Sequence, residues 1–403
     1  MISLDDVRAA RDRIAAVTRH TPLVHSRSFS ERTGAEVWLK LENLQRTGAF
    51  KVRGAMNRIE TLDETAREAG VVTASAGNHA QGVALAATRA GVDATVVMPE
   101  HAPVSKVRAT REYGARVVLH GEDYDAAQKR AHEIEAAEGR TYVHAFDDPY
   151  VMAGQGTIGL EVLEDCPDLD TVVVPVGGGG LIAGIATAIT TQKPEARVVG
   201  VEAAGAAKLG ASLAAGEPRT IDRADTIADG IATRRVGDRT FPVIEERVDE
   251  VVSVSDDDIA LALVDLLERT KTLAEGAGAV PLAAVLSGAF DYDEGETIVP
   301  AICGGNIDLN VLATLIGRGL AETGRYLRFR TVLPDRPGAL LGLTTVIAEH
   351  DANISAIHHD RTSRDVALDD AEVEIAVRTR GPDHAADLLD ALEEAGYGTE
   401  VLD

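Results

Sequence analysis

The run Val172-Val173-Val174-Pro175-Val176-Gly177-Gly178-Gly179-Gly180-Leu181 holds a strand, a turn and a helix start in ten residues. The valines are apolar on both faces, the pattern of a strand buried in a parallel sheet. Four glycines then let consecutive backbone N–H groups converge on one anion. The helix opening at Leu181 adds a favourable dipole. Together these predict a phosphate cradle at the carboxyl end of a parallel strand. A flexible strand–helix turn has the same order, but four glycines exceed what a turn needs. No GK[ST] ending follows, which argues against a nucleoside triphosphate.

Outward from this run, residues 1–300 keep alternating β-branched stretches with small-residue helices. Strands are predicted over 36–41, 71–73, 94–98, 115–119, 171–176, 198–201 and 297–302. The fold class is therefore α/β with parallel sheets, and segments 75–79, 177–180 and 303–306 fall at carboxyl strand ends. After about residue 322 the pattern changes. Residues 326–333 alternate as a strand, 337–349 are helical behind Asp335-Arg336-Pro337-Gly338, 353–360 and 365–379 are strand-like, 381–395 are helical and 396–402 close as a strand. The order βαββαβ is ferredoxin-like, and such a module beside an enzyme-like body suggests regulation.

At 403 residues the chain accommodates two or three domains. Its net charge of −25 opposes nucleic acid and anionic membrane as partners. No apolar run is long enough to span a bilayer, and the opening with Asp5, Asp6, Arg8 and Arg11 is no secretory signal. Cys166 and Cys303 are far apart and form no CxxC pair, which fits a reducing cytoplasm and no zinc site. Abundant Asp and Glu beside scarce Lys fit a salt-adapted surface, or simply an acidic cytoplasmic enzyme.

Seven lysines stand against thirty-three arginines, and one of them, Lys51, lies in Phe50-Lys51-Val52-Arg53-Gly54-Ala55. Only lysine can lose its proton and form a Schiff base, and Arg53 is a candidate neighbour to depress its proton affinity. Ser75-Ala76-Gly77-Asn78-His79-Ala80-Gln81-Gly82 follows a strand and opens a helix. Its first-turn N–H groups and the Ser75 hydroxyl suit a carboxylate, though a simple N-cap at Ser75 fits equally. Gly154-Gln155-Gly156-Thr157-Ile158-Gly159 matches GxGxxG, but Asp147-Asp148-Pro149 breaks the strand-to-glycine join, so close helix packing is expected there. His358 and His359 are adjacent in a strand, point to opposite faces and share no metal. A Schiff-base lysine, a phosphate cradle and a carboxylate site are jointly satisfied by pyridoxal phosphate and an amino acid.

At this point residues 1–320 resemble the fold-type-II pyridoxal-phosphate enzymes, specifically the threonine and serine dehydratases (ammonia-lyases). The likeness continues through Phe146-Asp147-Asp148-Pro149, Ala228-Asp229-Gly230, Glu275-Gly276-Ala277-Gly278 and Cys303-Gly304-Gly305-Asn306. Residues 326–403 resemble an ACT domain, an amino-acid-sensing module. The resemblance implies a catalytic region over 1–322, with a small subdomain at about 44–145 inserted in the larger one, and an ACT domain over 326–403. It implies Lys51 as the covalent cofactor anchor, residues Gly177, Gly178, Gly179, Gly180 and Leu181 on the phosphate, Asn78 on the phenolic oxygen, and Phe50 beside the ring. Ser75, Gly77 and His79 would bind the substrate carboxylate, with Glu275 nearby, and Gly338, Ala339, Asn353 and Ile354 would meet an effector such as isoleucine or valine. A homo-oligomer, dimer or tetramer, is also implied.

Three positions narrow the reaction. Cys303 would face the pyridine nitrogen; a neutral thiol there favours elimination over transamination. Ala76 stands where related serine racemases carry a proton-returning serine, and alanine transfers no proton. Relatives with a divalent-metal site would place ligands at Glu202, Ala206 and Lys208; a lysine there removes a ligand and can itself pair with Glu202 in place of the metal's charge, so no metal is expected. The expected activity is deamination of L-threonine to 2-oxobutanoate, with L-serine also used. L-serine ammonia-lyase, serine racemase and an amino-acid-sensing pseudoenzyme are the alternatives.

Overall fold

The computed structural model describes residues 1–361, 367 and 369–402. They form two compact units, Met1–Asp308 and Leu309–Asp403.

The first unit contains two sheets. Six strands run in the order Leu23–His25, Glu36–Lys40, Thr297–Pro300, Thr171–Pro175, Arg197–Ala203 and Glu250–Val254. Every neighbouring pair is parallel except the first. A second, all-parallel sheet has the order Arg116–Leu119, Ala94–Met98, Val71–Ala74 and Thr141–Tyr142. Its strands lie in sequence between Glu36–Lys40 and Thr171–Pro175, so it is inserted into the larger sheet. Thr171–Pro175, Val71–Ala74 and Ala94–Met98 are buried at every residue, as strands covered by helices on both faces must be. Leu23–His25 and Thr141–Tyr142 are too short, and Glu250–Val254 too polar, to stand out as strands from sequence.

Glycines 154, 156 and 159 serve helix packing. A Cβ on Gly156 would lie 2.7 Å from Gly184 O, and one on Gly154 would lie 2.6 Å from Gly54 Cα. Helix Pro149–Asp165 thereby sits backbone to backbone against both Gly180–Gln192 and Lys51–Glu60.

Arg53 does not approach the Lys51 amine as expected. Its guanidinium donates to Glu42 Oε1 at 2.7 Å and Glu161 Oε1 at 2.6 Å, while Lys40 Nζ donates to Glu161 Oε2 at 2.7 Å. Lys40, Glu42, Arg53 and Glu161 are all buried. Burial works against the Arg53 charge, but the two carboxylates keep it protonated well above the usual range. This cluster pins the first turn of the Lys51 helix to two other elements. Removing one partner from such a buried set costs roughly 3–5 kcal/mol.

In the second unit, helix Leu309–Glu322, expected in the first region, precedes strand Tyr326–Pro334, helix Ala339–Glu349, strands Asn353–Asp360 and Asp370–Arg378, helix Pro382–Glu394 and strand Thr399–Val401. The sheet is antiparallel, in the order Asn353–Asp360, Asp370–Arg378, Tyr326–Pro334, Thr399–Val401. Phe329, Leu343, Ile347, Val373, Ile375, Leu388 and Leu392 fill its core. The expected strand start at residue 365 lies outside the described residues.

Candidate active site

Lys51 is the first residue of helix Lys51–Glu60, with Phe50 before it at the N-cap. The Lys51 Nζ donates to Ala145 O at 2.9 Å and sits 5.0 Å from the centre of the Phe50 ring. Burial pushes its proton affinity down to a pKa of about 8, against the opposing pull of Cys303 and Glu275. Helix Asn78–Ala90 closes behind it, where a Cβ on Gly82 would lie 3.0 Å from Lys51 C.

The glycine loop joins strand Thr171–Pro175 to helix Gly180–Gln192, with Gly179 left-handed at φ +93° as its N-cap. Among the described residues, the N–H groups of Gly177, Gly178, Gly179, Gly180 and Leu181 donate to no protein acceptor. The carbonyl side is anchored: Gly178 O accepts from Gly237 N at 3.1 Å and from Thr240 Oγ1 at 2.8 Å. Phe146 walls the loop so closely that a Cβ on Gly178 would lie 2.4 Å from its ring. His144 Nδ1 accepts from the N–H groups of Phe146 and Asp147, shaping the turn that serves both Lys51 and the loop.

Under the loop, Lys208 Nζ donates to Glu202 Oε1 at 2.9 Å, Ala206 O at 3.1 Å and Val176 O at 3.5 Å. Glu202 also accepts from Leu209 N at 2.8 Å. The ammonium thus sits among the oxygens considered for a divalent metal, and Lys208 and Glu202 are both buried.

Helix Asn78–Ala90 starts without a side-chain cap. Ser75 Oγ instead accepts from Gly77 N at 3.1 Å, so Gly77's donor is engaged and the free main-chain donors begin at Asn78. The His79 side chain points away into the subdomain, its Nε2 2.9 Å from Val143 O. Burial drives its pKa down to about 3, leaving it neutral. Asn78 Nδ2 donates to Glu275 Oε1 at 2.6 Å, and Asn306 Nδ2 donates to Asn78 Oδ1 at 2.9 Å. Burial, with Asp229 beside it, raises Glu275 to about 7. Cys303 is buried, its Sγ 3.4 Å from Ala277 O, and burial pushes its thiol far above the usual range. Phe50 N donates to Cys303 O at 3.2 Å, so the lysine segment and the cysteine segment are joined.

Sequence reasoning missed Lys106, whose Nζ bonds to Asn306 O, and His144. Neither sits in a glycine-rich or strand-end motif that would flag it. In the second unit Gly338 and Ala339 line a cavity of about 330 Å³ with Asp335, Arg336, His359 and Arg361, whereas Asn353 and Ile354 are not among its lining residues.

The donor set suits a phosphate-bearing aldehyde: an amine poised near neutrality for the carbonyl, and unpaired N–H groups at a helix start for the phosphate. The model for "Pyridoxal-phosphate dependent enzyme" matches residues 14–304, and the ACT domain model matches residues 328–396. An L-threonine ammonia-lyase of Geobacter sulfurreducens is 50% identical over 396 residues, covering 98% of both chains. The processed form of threonine deaminase isoform 2 from Solanum lycopersicum superposes with a TM-score of 0.75 at 40% identity, over 78% of this chain and 87% of that one. Maize serine racemase gives the same TM-score at 37% identity, over 80% of this chain and 98% of that one. The chain belongs to the pyridoxal-phosphate dependent enzymes, of fold type II, and carries a C-terminal ACT domain.

Proposed function

We propose that the protein is a threonine ammonia-lyase, converting L-threonine to 2-oxobutanoate and ammonia, and L-serine to pyruvate and ammonia. The observation that carries this is the Lys51 amine, held 2.9 Å from Ala145 O in the turn that walls the glycine loop, together with an alanine, Ala76, where related serine racemases carry their proton-returning serine. The fold is shared by lyases and racemases, so these residues rather than the architecture separate the two.

When bound, pyridoxal phosphate supplies an aldehyde for Lys51 and a ring that withdraws electrons from the substrate Cα. The N–H groups of 177–181 hold the phosphate, and Asn78 and Phe50 orient the ring. Ser75 with the open N–H groups of Asn78 and His79 holds the substrate carboxylate. Lys51 would be the base that takes the Cα proton of the substrate. With a pKa of about 8, far more of it is neutral near pH 7.5 than of an ordinary lysine, which is well under 1% neutral there. The β-hydroxyl would leave as water, its added proton balanced by the one removed from Cα, and addition of water to the released enamine's imine form would give the 2-oxo acid and ammonia. Cys303, buried and neutral, would face the ring nitrogen without supplying it an acid, which would favour loss of the β-group over transamination. Lys208, paired with Glu202, stands beside the Val176 carbonyl that precedes the glycine loop.

The ACT domain binds a branched-chain amino acid such as isoleucine or valine, and the enzyme serves isoleucine biosynthesis in the cytoplasm of a salt-adapted host as a homo-oligomer. Supporting the effector reading, the cavity at Gly338 and Ala339 is lined by Asp335 and Arg361, an ion pair at 3.0 Å that a zwitterion would have to open to meet both charges. The test is 2-oxo acid release from L-threonine and L-serine, with and without isoleucine and valine. No product from either substrate overturns the lyase reading. D-serine formation without 2-oxo acid favours a racemase, and a protein that takes up no cofactor favours a sensor.

A further inference from the structure

Helix Val104–Glu112 belongs to the inserted sheet, and Cys303–Asn306 follows the strand Thr297–Pro300 of the larger one. Lys106 joins them: its ammonium donates to Asn306 O. Asn306 in turn donates through Nδ2 to Thr47 O and to Asn78 Oδ1, and Asn78 donates through Nδ2 to Glu275 Oε1. The Glu275 carboxylate also accepts from the Asn306 main chain. Glu275 N closes the loop on Gly304 O at 3.0 Å, and the Gly304 backbone lies so close that a Cβ there would sit 2.3 Å from Glu275 Oε1. One ammonium therefore holds the main chain of Asn306, whose side chain leads through Asn78 to the buried carboxylate beside Lys51. Thr47, which accepts from Asn306, is itself held at φ +65° with a buried, unpartnered hydroxyl. A non-glycine residue persists in that region only where its surroundings hold it.

We propose that Lys106 is a positioning residue: it clasps the inserted subdomain to the Asn306 segment and thereby aligns Asn78 and Glu275 beside Lys51. A compact, rotatable ammonium reaches this one carbonyl without the further donors that a planar guanidinium would have to satisfy. The charge also acts at a distance. Glu275 faces Asp229, Cys303, Lys51 and Lys106; Lys106 favours the carboxylate, while burial and Asp229 favour the acid. The clasp thus sets both where the carboxylate points and how readily it ionises.

The kinetic arm of the test rests on the proposed lyase activity, and the exchange arm does not. Lys106→Met should move the limb of the kcat/KM profile for L-threonine that Glu275→Gln removes to higher pH by about half to one unit, since loss of a nearby cation favours the acid form. It should also lower kcat/KM at least tenfold. Lys106→Arg keeps the charge and should return the limb to within about 0.3 units of native. In the apoprotein, amide exchange at 303–306 should speed at least tenfold in Lys106→Met with unchanged exchange in the strand Thr171–Pro175. If Lys106→Met does not fold, Lys106→Gln, which keeps a donor without the charge, takes its place. A native pH profile and native exchange in the uncharged variant overturn the proposal, as does an equal limb shift in the Met and Arg variants. If the native protein releases no 2-oxo acid, the lyase reading fails while exchange still decides the clasp.

Discussion

Gly178→Ala probes the contact between the phosphate loop and the turn that meets Lys51. The added methyl would lie 2.4 Å from three atoms of the Phe146 ring, where ordinary contact begins at 3.4 Å. The ring must retreat by about 1 Å, and overpacking of this kind costs about 1–3 kcal/mol. The ring cannot turn away freely, because His144 fixes the Phe146 and Asp147 N–H groups and Ala145 O holds the Lys51 amine. With cofactor seated against the loop the turn has least freedom to yield, so the penalty falls on binding. Pyridoxal phosphate affinity should drop about 5- to 150-fold. Titration of apoprotein with the cofactor, followed by its visible absorbance, measures this directly. Gly210→Ala is the control: a Cβ there meets nothing within 4 Å, and its affinity should stay within about twofold of native. A Gly178→Ala affinity equally close to native would refute the loop as the phosphate site walled by Phe146.

Lys51→Ala and Lys51→Arg should both abolish 2-oxo acid release and the visible absorbance of the anchored cofactor; turnover by the arginine variant would contradict the role given to this amine. Stability of the apoprotein should depend on pH in two opposite windows. Glu275 titrates near 7 in the folded chain against 4.5 unfolded, so the native state binds more protons and stability falls as pH rises from about 4.5 to 7. Lys51 titrates near 8 against 10.5, so the unfolded state binds more protons and stability rises from about 8 to 10.5. Urea titrations should show the first slope removed by Glu275→Gln and the second by Lys51→Met. In the ACT domain, Gly338 holds φ +91°, so Gly338→Ala strains the backbone by about 1 kcal/mol or more and should weaken inhibition or activation by isoleucine and valine in activity titrations, leaving unliganded turnover unchanged.

The valine run, the glycine loop and the Ser75 segment were legible because each links a local pattern to a local structure. Burial on both faces, a left-handed glycine and a helix start all lie within ten residues. The Lys208–Glu202 pair was legible for the same reason, its members being six residues apart. The destination of Arg53 was not. Its partner Glu161 is 108 residues away and reaches it only because helix Pro149–Asp165 packs through glycines 154 and 156. The Lys106 clasp spans 200 residues and two sheets, and an isolated lysine in a polar helix carries no periodic signal. Gly77 shows a finer limit: the motif marks a helix start, but whether its N–H is open depends on where the Ser75 hydroxyl turns.

The placement of the lysines also makes this protein selective toward chemistry. Lys40 and Lys208 are buried in ion pairs, Lys51, Lys106 and Lys193 are half-buried with backbone carbonyls as partners, and Lys129 and Lys271 are exposed. Among the lysines, an amine-acylating reagent will therefore mark Lys129 and Lys271 first. The chain can be tethered or labelled at those two points without touching the amine that does the work, and slower loss of activity then reports the reaction of Lys51 itself.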